Sequence, residues 1–362
     1  MSLAGEKRRS RTGAGIGGAL LVILLTAGGV AGRDGFGDAP MAERAVFARL
    51  AEVAEQAPRP VVRGLDGWLF VGSELRHLGL GRFWGPQAVE VSRASNPEWA
   101  DPLPVILDFK TQLAGAGIEL LFVPVPAKAA VYPDRVPGLA DADPALRWDP
   151  ADAAFYEVLR EGGVEVVDLV PELRRRRSAQ DRPLYCRQDT HWAGPAIEVT
   201  ASLIADRLRR SEWFEAVPKG HFETERRTVE IRGDLWRMLD DASVPRETLR
   251  LGFVERRTEG GLEPVEPWRE SPVLLLGDSH GLVFHAGGDM HAKGAGLADH
   301  LADRLGFPID LVAVRGSGAT PSRINLLRRR DNLAGKKVVI WLMSVREFTE
   351  GAQGWRPLPI FH

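Results

Sequence analysis

The feature that most constrains the fold is a series of five mainly apolar runs separated by segments of helical periodicity. The runs occupy residues 118–126, 164–169, 271–280, 307–314 and 336–344. Runs of this kind are typical of strands that are buried on both faces. Helices between successive strands favour parallel connections within one sheet. The sequence therefore predicts a three-layer α/β fold. In a chain of 362 residues, one large domain, of a size typical of catalytic domains, is the simplest arrangement.

The segments around these runs predict the domain organisation. Residues 34–57 are expected to form a linker with a helix, and 58–350 the main domain, which opens with a hairpin turning at Asp66 and Gly67. Short polar-apolar runs over 213–268 indicate a small antiparallel β insertion, and 351–362 form a tail. Helices are predicted at 101–115, 151–161, 171–177, 194–210, 294–305 and 321–330.

The first residues resemble an export signal. Lys7, Arg8, Arg9 and Arg11 precede an uncharged, Gly-rich apolar stretch over residues 12–32. A basic flank followed by an apolar stretch predicts either a cleaved signal peptide or an N-terminal anchor in the inner membrane, within residues 1–33. Both alternatives stay open. In each case the chain after Arg33 is expected in the periplasm of a bacterium.

Composition excludes several classes of function. The 47 basic and 49 acidic side chains give a formal net charge of -2, so we expect no nucleic-acid partner. The one cysteine, Cys186, cannot form an intramolecular disulfide or a thiolate metal cage, and it is expected to be a small buried thiol. Three histidines, His280, His285 and His291, have spacings that no single helix face accommodates, so no metal is expected. No organic cofactor is expected either.

A serine follows one of the predicted strands directly. The run Leu274–Leu276 ends in Gly277, Asp278, Ser279 and His280. Open α/β sheets bind their ligands at the carboxyl ends of the strands. A serine in such a turn has backbone N–H groups beside it that could stabilise an oxyanion in acyl transfer. The alternative is that Asp278 or Ser279 simply caps a helix.

A second motif supplies an acid and a base. In the stretch YCRQDTHW, Asp189 and His191 are two residues apart, just before a predicted helix. A serine becomes nucleophilic when a histidine takes its proton, and a carboxylate orients that histidine. Alternatively, Asp189 caps the helix and His191 is a surface residue. Together the two motifs contain a complete Ser, His and Asp set at strand-to-helix junctions.

The stretches GDSH, DTHW, GWLFVG (67–72) and VPVPAKAAVYP (123–133) resemble the alginate O-acetyltransferase family over residues 58–350 or so. The resemblance implies an SGNH hydrolase-like, flavodoxin-like parallel sheet with a permuted triad order, because Asp-x-His precedes Ser in that family. It implies that Ser279 is the nucleophile, His191 the base and Asp189 its orienting acid. Because the chain ends at His362, we expect the shorter, membrane-tethered kind of member, without a carbohydrate-binding module.

The same resemblance implies an O-acetyltransferase that modifies hydroxyl groups of an exported exopolysaccharide through an acetyl-serine intermediate. It also implies a membrane-bound O-acyltransferase as the partner that supplies acetyl groups. Two alternatives stay open: a carbohydrate acetylesterase with the same triad, and a non-catalytic polysaccharide-binding subunit, which the ten Trp would suit. The identity of the polysaccharide stays open as well.

Four further residues are predicted to bind substrate. Arg315 follows the strand at 307–314, and Lys128 and Tyr132 follow the strand at 118–126, so all three are expected near the edge that carries Ser279. Trp192 is expected to shield the triad or to stack on a sugar. The alternatives are that Arg315 is a surface arginine in a turn and that Trp192 packs in the core. Arg346, after the last strand, either corresponds to an arginine found near the end of the fold in the family or forms a structural ion pair. Arg174–Arg177 are expected on a solvated helix face.

Overall fold

The computed structural model describes residues 37–143, 145–177 and 182–361. The predicted signal peptide or anchor, at residues 1–33, lies outside the described residues. Within those ranges, no helix combines the length and the hydropathy that a membrane crossing needs.

Twelve strands lie in the described part of the chain: β1 (Gly37–Asp38), β2 (Val61–Arg63), β3 (Leu69–Val71), β4 (Glu119–Val125), β5 (Leu146–Arg147), β6 (Glu165–Val166), β7 (His221–Glu230), β8 (Thr248–Thr258), β9 (Gly261–Pro264), β10 (Val273–Gly277), β11 (Asp310–Ala313) and β12 (Val338–Ser344).

Between them lie the α-helices α1 (Met41–Gln56), α2 (Gly72–Gly79), α3 (Ala88–Val91), α4 (Pro102–Gly115), α5 (Lys128–Val131), α6 (Pro150–Glu161), α7 (Val170–Arg177), α8 (Gly194–Leu208), α9 (Asp234–Leu239), α10 (Leu297–Leu305), α11 (Thr320–Arg328) and α12 (Glu347–Glu350).

The five apolar runs form one parallel sheet, in the order β11-β10-β12-β4-β6. Every residue of β10 and β12 is buried. Because successive side chains of a strand point to opposite faces, helices and loops must cover both faces of the sheet. Helix α4 packs on β4, α6 packs on β6, and α11 packs on β10 and β11. The predicted α/β fold with a parallel sheet is therefore confirmed.

The order of the strands is a circular permutation of a common doubly wound sheet. If counting begins at β10 and continues from β12 to β4, the spatial order reads 2-1-3-4-5, as in flavodoxin-like folds. The strand that would normally come first along the chain thus comes third here. Ligands of such sheets bind where the first strand lies beside the third, which corresponds to the carboxyl ends of β10 and β12.

The hairpin of β2 and β3 supports the loop that carries the Asp-x-His motif. Asp66 and Gly67 in its turn both have positive φ, at 52° and 78°, which is the geometry that Asp-Gly turns favour. The backbone N–H of Leu69 then donates to the carbonyl oxygen of Arg187 at 2.7 Å. Residues 213–268 contain the antiparallel sheet β7-β8-β9 and the short helix α9.

Tryptophan serves mainly to fill the core. Trp148, Trp192, Trp341 and Trp355 are fully buried. Trp355 lies in the C-terminal tail, where its backbone N–H donates to the carbonyl oxygen of Trp99 at 2.7 Å and its ring stacks on Phe348. The tail is therefore part of the packed domain, and these four side chains present no surface for a sugar.

We predict that Ile340→Ala lowers the free energy of unfolding by about 2–5 kcal/mol. Ile340 lies in the central strand β12 with no solvent exposure, so its truncation leaves a cavity that the packed sheet cannot close. Urea unfolding measures the change. Leu262→Ala is the control, because Leu262 is 43% exposed, and its effect should stay below about 0.5 kcal/mol. Equal effects of the two variants would contradict this packing.

Candidate active site

Ser279 lies in a 3-10 turn (Ser279–Gly281) directly after β10. Asp278 precedes it, and its Oδ1 accepts a hydrogen bond from the backbone N–H of His280 at 2.8 Å. Its Oδ2 accepts from the N–H of Ser344, at the end of β12, also at 2.8 Å. A Cβ on Gly277 would lie 2.5 Å from the carbonyl oxygen of Leu342, so only glycine allows this approach. The turn with the serine is therefore fixed to the central strand.

The Asp189–His191 segment lies just before α8, and a backbone hydrogen bond within the same loop holds it in place. The N–H of Cys186 donates to the carbonyl oxygen of His191 at 3.1 Å. Gly233 packs against the other side, where an added Cβ would lie 2.0 Å from the carbonyl oxygen of Gln188. The segment preceding α9 thus lies directly on the motif. These contacts leave Asp189 and His191 little freedom to move.

The structure brings the three predicted residues together. Nε2 of His191 lies 2.8 Å from Oγ of Ser279, and Nδ1 of His191 lies 2.6 Å from Oδ1 of Asp189. Ser279 and His191 are each 6% exposed, and Asp189 is 1% exposed. This is the arrangement in which an imidazole can take a proton from a hydroxyl while a carboxylate fixes its tautomer.

The Asp189 carboxylate accepts four N–H groups. Oδ1 accepts from the backbone and from Nδ1 of His191. Oδ2 accepts from the backbone N–H of Asp234 at 2.8 Å and from Nε2 of His291 at 2.9 Å. Asp234 also binds Thr190 through its carboxylate. A buried anion is stable when its lone pairs are satisfied in this way.

Burial and pairing act in opposite directions on the two titratable groups. Burial raises the pKa of the Asp189 carboxyl, but the charge of His191 and the hydrogen bonds from His191 and His291 outweigh it and hold that pKa well below its ordinary value. Burial lowers the pKa of the His191 imidazole, but the charge and hydrogen bond of Asp189 outweigh burial and raise it. The pair therefore favours a carboxylate beside a basic imidazole.

Lys128 and Tyr132 do not lie on a substrate groove. Lys128 is fully buried, and its Nζ donates to the carbonyl oxygens of Leu69 at 2.8 Å and Asp189 at 2.6 Å. Tyr132 is 6% exposed, and its hydroxyl accepts from the N–H of Leu184 at 2.9 Å. Both predictions are corrected in the same way. Each residue follows a strand, but its side chain points into the protein and supports the loop with the Asp-x-His motif.

The other predicted residues also have structural contacts. Trp192 is fully buried and packs edge-on against His280, so it cannot stack on a sugar, although it does lie beside the triad. Arg315 is exposed, and its guanidinium bonds Asp289 at 2.5 Å. Arg346 forms an ion pair with buried Glu74 at 3.1 Å. The side chain of Arg315 is thus exposed, that of Arg346 is mostly buried, and that of Trp192 is fully buried.

The histidines expected not to form a metal site pair with different carboxylates. His280 bonds Asp278, His285 bonds Asp299, and His291 bonds Asp189. Within the described ranges, one group has its ligand atoms close enough for a metal ion, namely Asp189, His191 and Asp234. The side chains of this group already hold hydrogen bonds. The Asp189 carboxylate bonds His191 and His291, the His191 ring also bonds Ser279, and the Asp234 carboxylate bonds Thr190. The arrangement suits proton transfer better than metal binding.

Two residues of the site did not follow from the motifs. Asp234 begins α9, 45 residues after Asp189, and no local pattern links the two. For His291, the sequence pattern bears only on metal binding and does not point to Asp189. The glycine before Asp234 is a sequence signal, because glycine often marks a place where another backbone approaches closely. It does not indicate which segment approaches.

Comparison with known proteins places these features in a family. The family model described as SGNH hydrolase-like domain, acetyltransferase AlgX, matches residues 61–345. The probable alginate O-acetylase AlgJ of Pseudomonas aeruginosa is 29% identical over 178 residues, which cover 48% of this chain and 40% of that relative. The matched region thus spans less than half of that protein's length.

Two solved structures have the same fold. The O-acetyltransferase domain of Pseudomonas putida AlgJ superposes with a TM-score of 0.58 at 22% identity, over 80% of this chain and 92% of that one. Pseudomonas aeruginosa AlgX superposes with a TM-score of 0.56 at 18% identity, over 78% of this chain and 61% of that one. The predicted SGNH hydrolase-like fold is confirmed.

The two pKa shifts determine how the pair affects stability. A lowered carboxyl pKa stabilises the fold above the unfolded value of about 3.9, and this contribution is lost as the pH falls through the folded value. A raised imidazole pKa stabilises the fold below the unfolded value of about 6.5, and this contribution is lost as the pH rises through the folded value. The pair therefore stabilises the protein most between about pH 4 and pH 6.5.

We predict that Asp189→Asn destabilises the protein most within that window. The difference in unfolding free energy between the wild type and this variant should shrink as the pH rises through the folded pKa of His191. Urea unfolding over a pH series measures it. Asp206→Asn, at an exposed carboxylate on α8, is the control. A difference that does not change with pH would contradict the assignment of an ionised pair.

Proposed function

Because the chain belongs to the family of SGNH hydrolase-like domains described as acetyltransferase AlgX, we propose that it transfers acetyl groups to the hydroxyls of an exported polysaccharide. The observation that supports this most strongly is the hydrogen-bonded series Ser279, His191 and Asp189 at the carboxyl end of β10. In this proposal Ser279 is the nucleophile, His191 the general base and acid, and Asp189 the group that orients His191.

The first step forms an acetyl-enzyme. Nε2 of His191 takes the proton of the Ser279 hydroxyl while Oγ attacks the carbonyl carbon of an acetyl ester. The ester bond to the leaving oxygen then breaks, and the His191 imidazolium returns the proton to that oxygen. The Asp189 charge stabilises the imidazolium formed in between, which agrees with the raised pKa of His191.

The second step transfers the acetyl group. His191 takes a proton from a sugar hydroxyl, whose oxygen attacks the acetyl carbonyl, and Ser279 leaves with the proton that His191 returns. The backbone N–H of Ser279 has no acceptor within the ranges that the structure describes. It is the first candidate for an oxyanion donor, a kind of group that typically contributes about 3–4 kcal/mol.

The burial of tryptophan side chains weakens one of the two alternatives to a transferase. The four fully buried tryptophans remove much of the support for a non-catalytic sugar-binding subunit. An acetylesterase would use the same triad, with water in place of the sugar hydroxyl. An assay that detects both acetylated sugar and free acetate separates an esterase from a transferase.

The acceptor and the setting are proposed from the relatives. Since the relatives are named for alginate, we propose an alginate-like exopolysaccharide as the acceptor. A membrane-bound O-acyltransferase would supply the acetyl groups. The protein would act in the periplasm, tethered to the inner membrane or released from it after cleavage within residues 1–33.

We predict that Ser279→Ala lowers kcat for acetyl transfer by about 10⁴-fold or more, because it removes the hydroxyl that lies 2.8 Å from the His191 base. The purified chain is incubated with a small acetyl ester and with mannuronate oligosaccharides, and mass spectrometry detects acetylated sugar and free acetate. Ser202→Ala is the matched control, since the Ser202 hydroxyl bonds only the Glu198 carbonyl oxygen of its own helix.

Each outcome of this assay has a separate meaning. Acetylated sugar that depends on Ser279 supports the transferase. Free acetate that depends on Ser279, at a rate that added sugar does not change, supports an esterase instead. Activity that survives Ser279→Ala, or no activity in the wild type, contradicts the proposed mechanism.

A further inference from the structure

His291 provides a second imidazole on the Asp189 carboxylate. Its Nε2 lies 2.9 Å from Oδ2, while Nδ1 of His191 lies 2.6 Å from Oδ1. The His291 side chain is 5% exposed. Because an ionised carboxylate only accepts hydrogen bonds, the contact requires the proton of His291 to be on Nε2. One buried carboxylate therefore binds two imidazoles, one on each oxygen.

The backbone of His291 has an unusual conformation. Its φ and ψ are 72° and -52°, and the N–H of Ala292 donates to the carbonyl oxygen of Met290 at 2.9 Å. This is a γ-turn of the rare, strained kind. Strain of this sort at a residue other than glycine persists only where the surroundings enforce it, and it occurs preferentially at functional sites.

The loop of His291 continues from the turn that carries the nucleophile. The N–H of Val283 donates to the carbonyl oxygen of Ser279, and the N–H of Phe284 donates to that of Met290, both at 2.8 Å. The ring of Phe284 packs on the ring of His291, with centroids 5.8 Å apart. His291 thus joins the segment of Ser279 to that of Asp189 at a second point, besides the contact of His191 with Ser279.

Resting on the proposed function, we infer that His291 is a positioning residue. By donating its Nε2–H to Oδ2, it fixes the rotation of the Asp189 carboxylate so that Oδ1 faces His191, and it shares the negative charge of that carboxylate between two imidazoles. His291 does not touch the reacting atoms. It acts through Asp189 on the base.

The other charged groups near this arrangement have partners of their own, and Lys128 donates to backbone carbonyl oxygens. The Asp234 carboxylate binds Thr190, and Arg346 pairs with Glu74. On the loop itself, Asp289 pairs with Arg315. Each of these charges is retained when His291 is replaced, so a change in the pH dependence of the reaction reports the lost contact with Asp189.

The inference is tested with His291→Leu, which removes the donor, and with His291→Gln, which retains an N–H near the same position. We expect His291→Leu to lower kcat for acetyl transfer about tenfold to hundredfold, with little change in KM. This is the range typical of groups that orient a metal-ligating histidine. The acidic limb of kcat/KM should move to higher pH, because an unshared carboxylate holds the His191 imidazolium more strongly. His291→Gln should restore both values.

His285→Leu is the matched control. His285 lies in the same loop and bonds a buried carboxylate, Asp299, at 3.0 Å, but it does not contact the triad. This variant should leave the acidic limb unchanged. If His291→Leu leaves kcat and the acidic limb as in the wild type, or if His285→Leu shifts the limb equally, the inference is wrong.

A second measurement needs neither activity nor a folded variant. In wild-type protein labelled with ¹⁵N-histidine, NMR spectra should show His291 protonated on Nε2, with a low-field proton signal besides that of His191. A neutral His291 with its proton on Nδ1 would overturn the inference. If the wild type has no Ser279-dependent activity, the proposed function fails, while this spectrum still decides whether His291 donates to Asp189.

Discussion

The candidate active site depends on one buried charge, the carboxylate of Asp189. An isolated carboxylate is strongly destabilised inside a protein, yet here four N–H groups surround it and keep it ionised. Two of these donors belong to His191, and one each comes from Asp234 and His291. The loop before α8, the start of α9 and the loop after Ser279 are therefore held together by a single side chain.

The topology explains why these segments meet. Because the sheet is circularly permuted, the strand that ends at Ser279, the proposed nucleophile, comes late in the chain, after the Asp-x-His segment. Both nevertheless lie at the same edge, where parallel strands end and ligands bind. The antiparallel region at 213–268 contributes α9, whose first N–H bonds Asp189. Lys128 supports the same loop from inside, through the carbonyl oxygen of Asp189.

Much of the fold could be predicted because its signals are local. A strand buried on both faces needs a continuous apolar run, and β4, β10 and β12 each have one. The triad residues proposed here could also be predicted from local motifs, since Ser279 directly follows β10 and the Asp189–His191 stretch comes just before α8. The side chains that surround them were harder. A lysine after a strand can point to solvent or into the core, and only the packing around Lys128 decides which.

The contacts of Asp234 and His291 depend on tertiary structure alone. Asp234 meets Asp189 through a backbone N–H, a group that every residue except proline carries, so its identity gives no signal. His291 reaches Asp189 from a strained turn, and its spacing from His280 and His285 gives no sign of that contact. Sequence patterns identify which residues can react, whereas the groups that orient them follow from the folded chain.

The most direct test of this account is to locate the acetyl group on the enzyme itself. The chain is mixed rapidly with an activated acetyl ester in the absence of any sugar, quenched in acid and digested, and its peptides are sequenced by mass spectrometry. The account predicts an acetyl ester on Ser279 that disappears when an acceptor sugar is added. An acetyl group on another residue, or turnover with no acetylated Ser279 at any time, would contradict it.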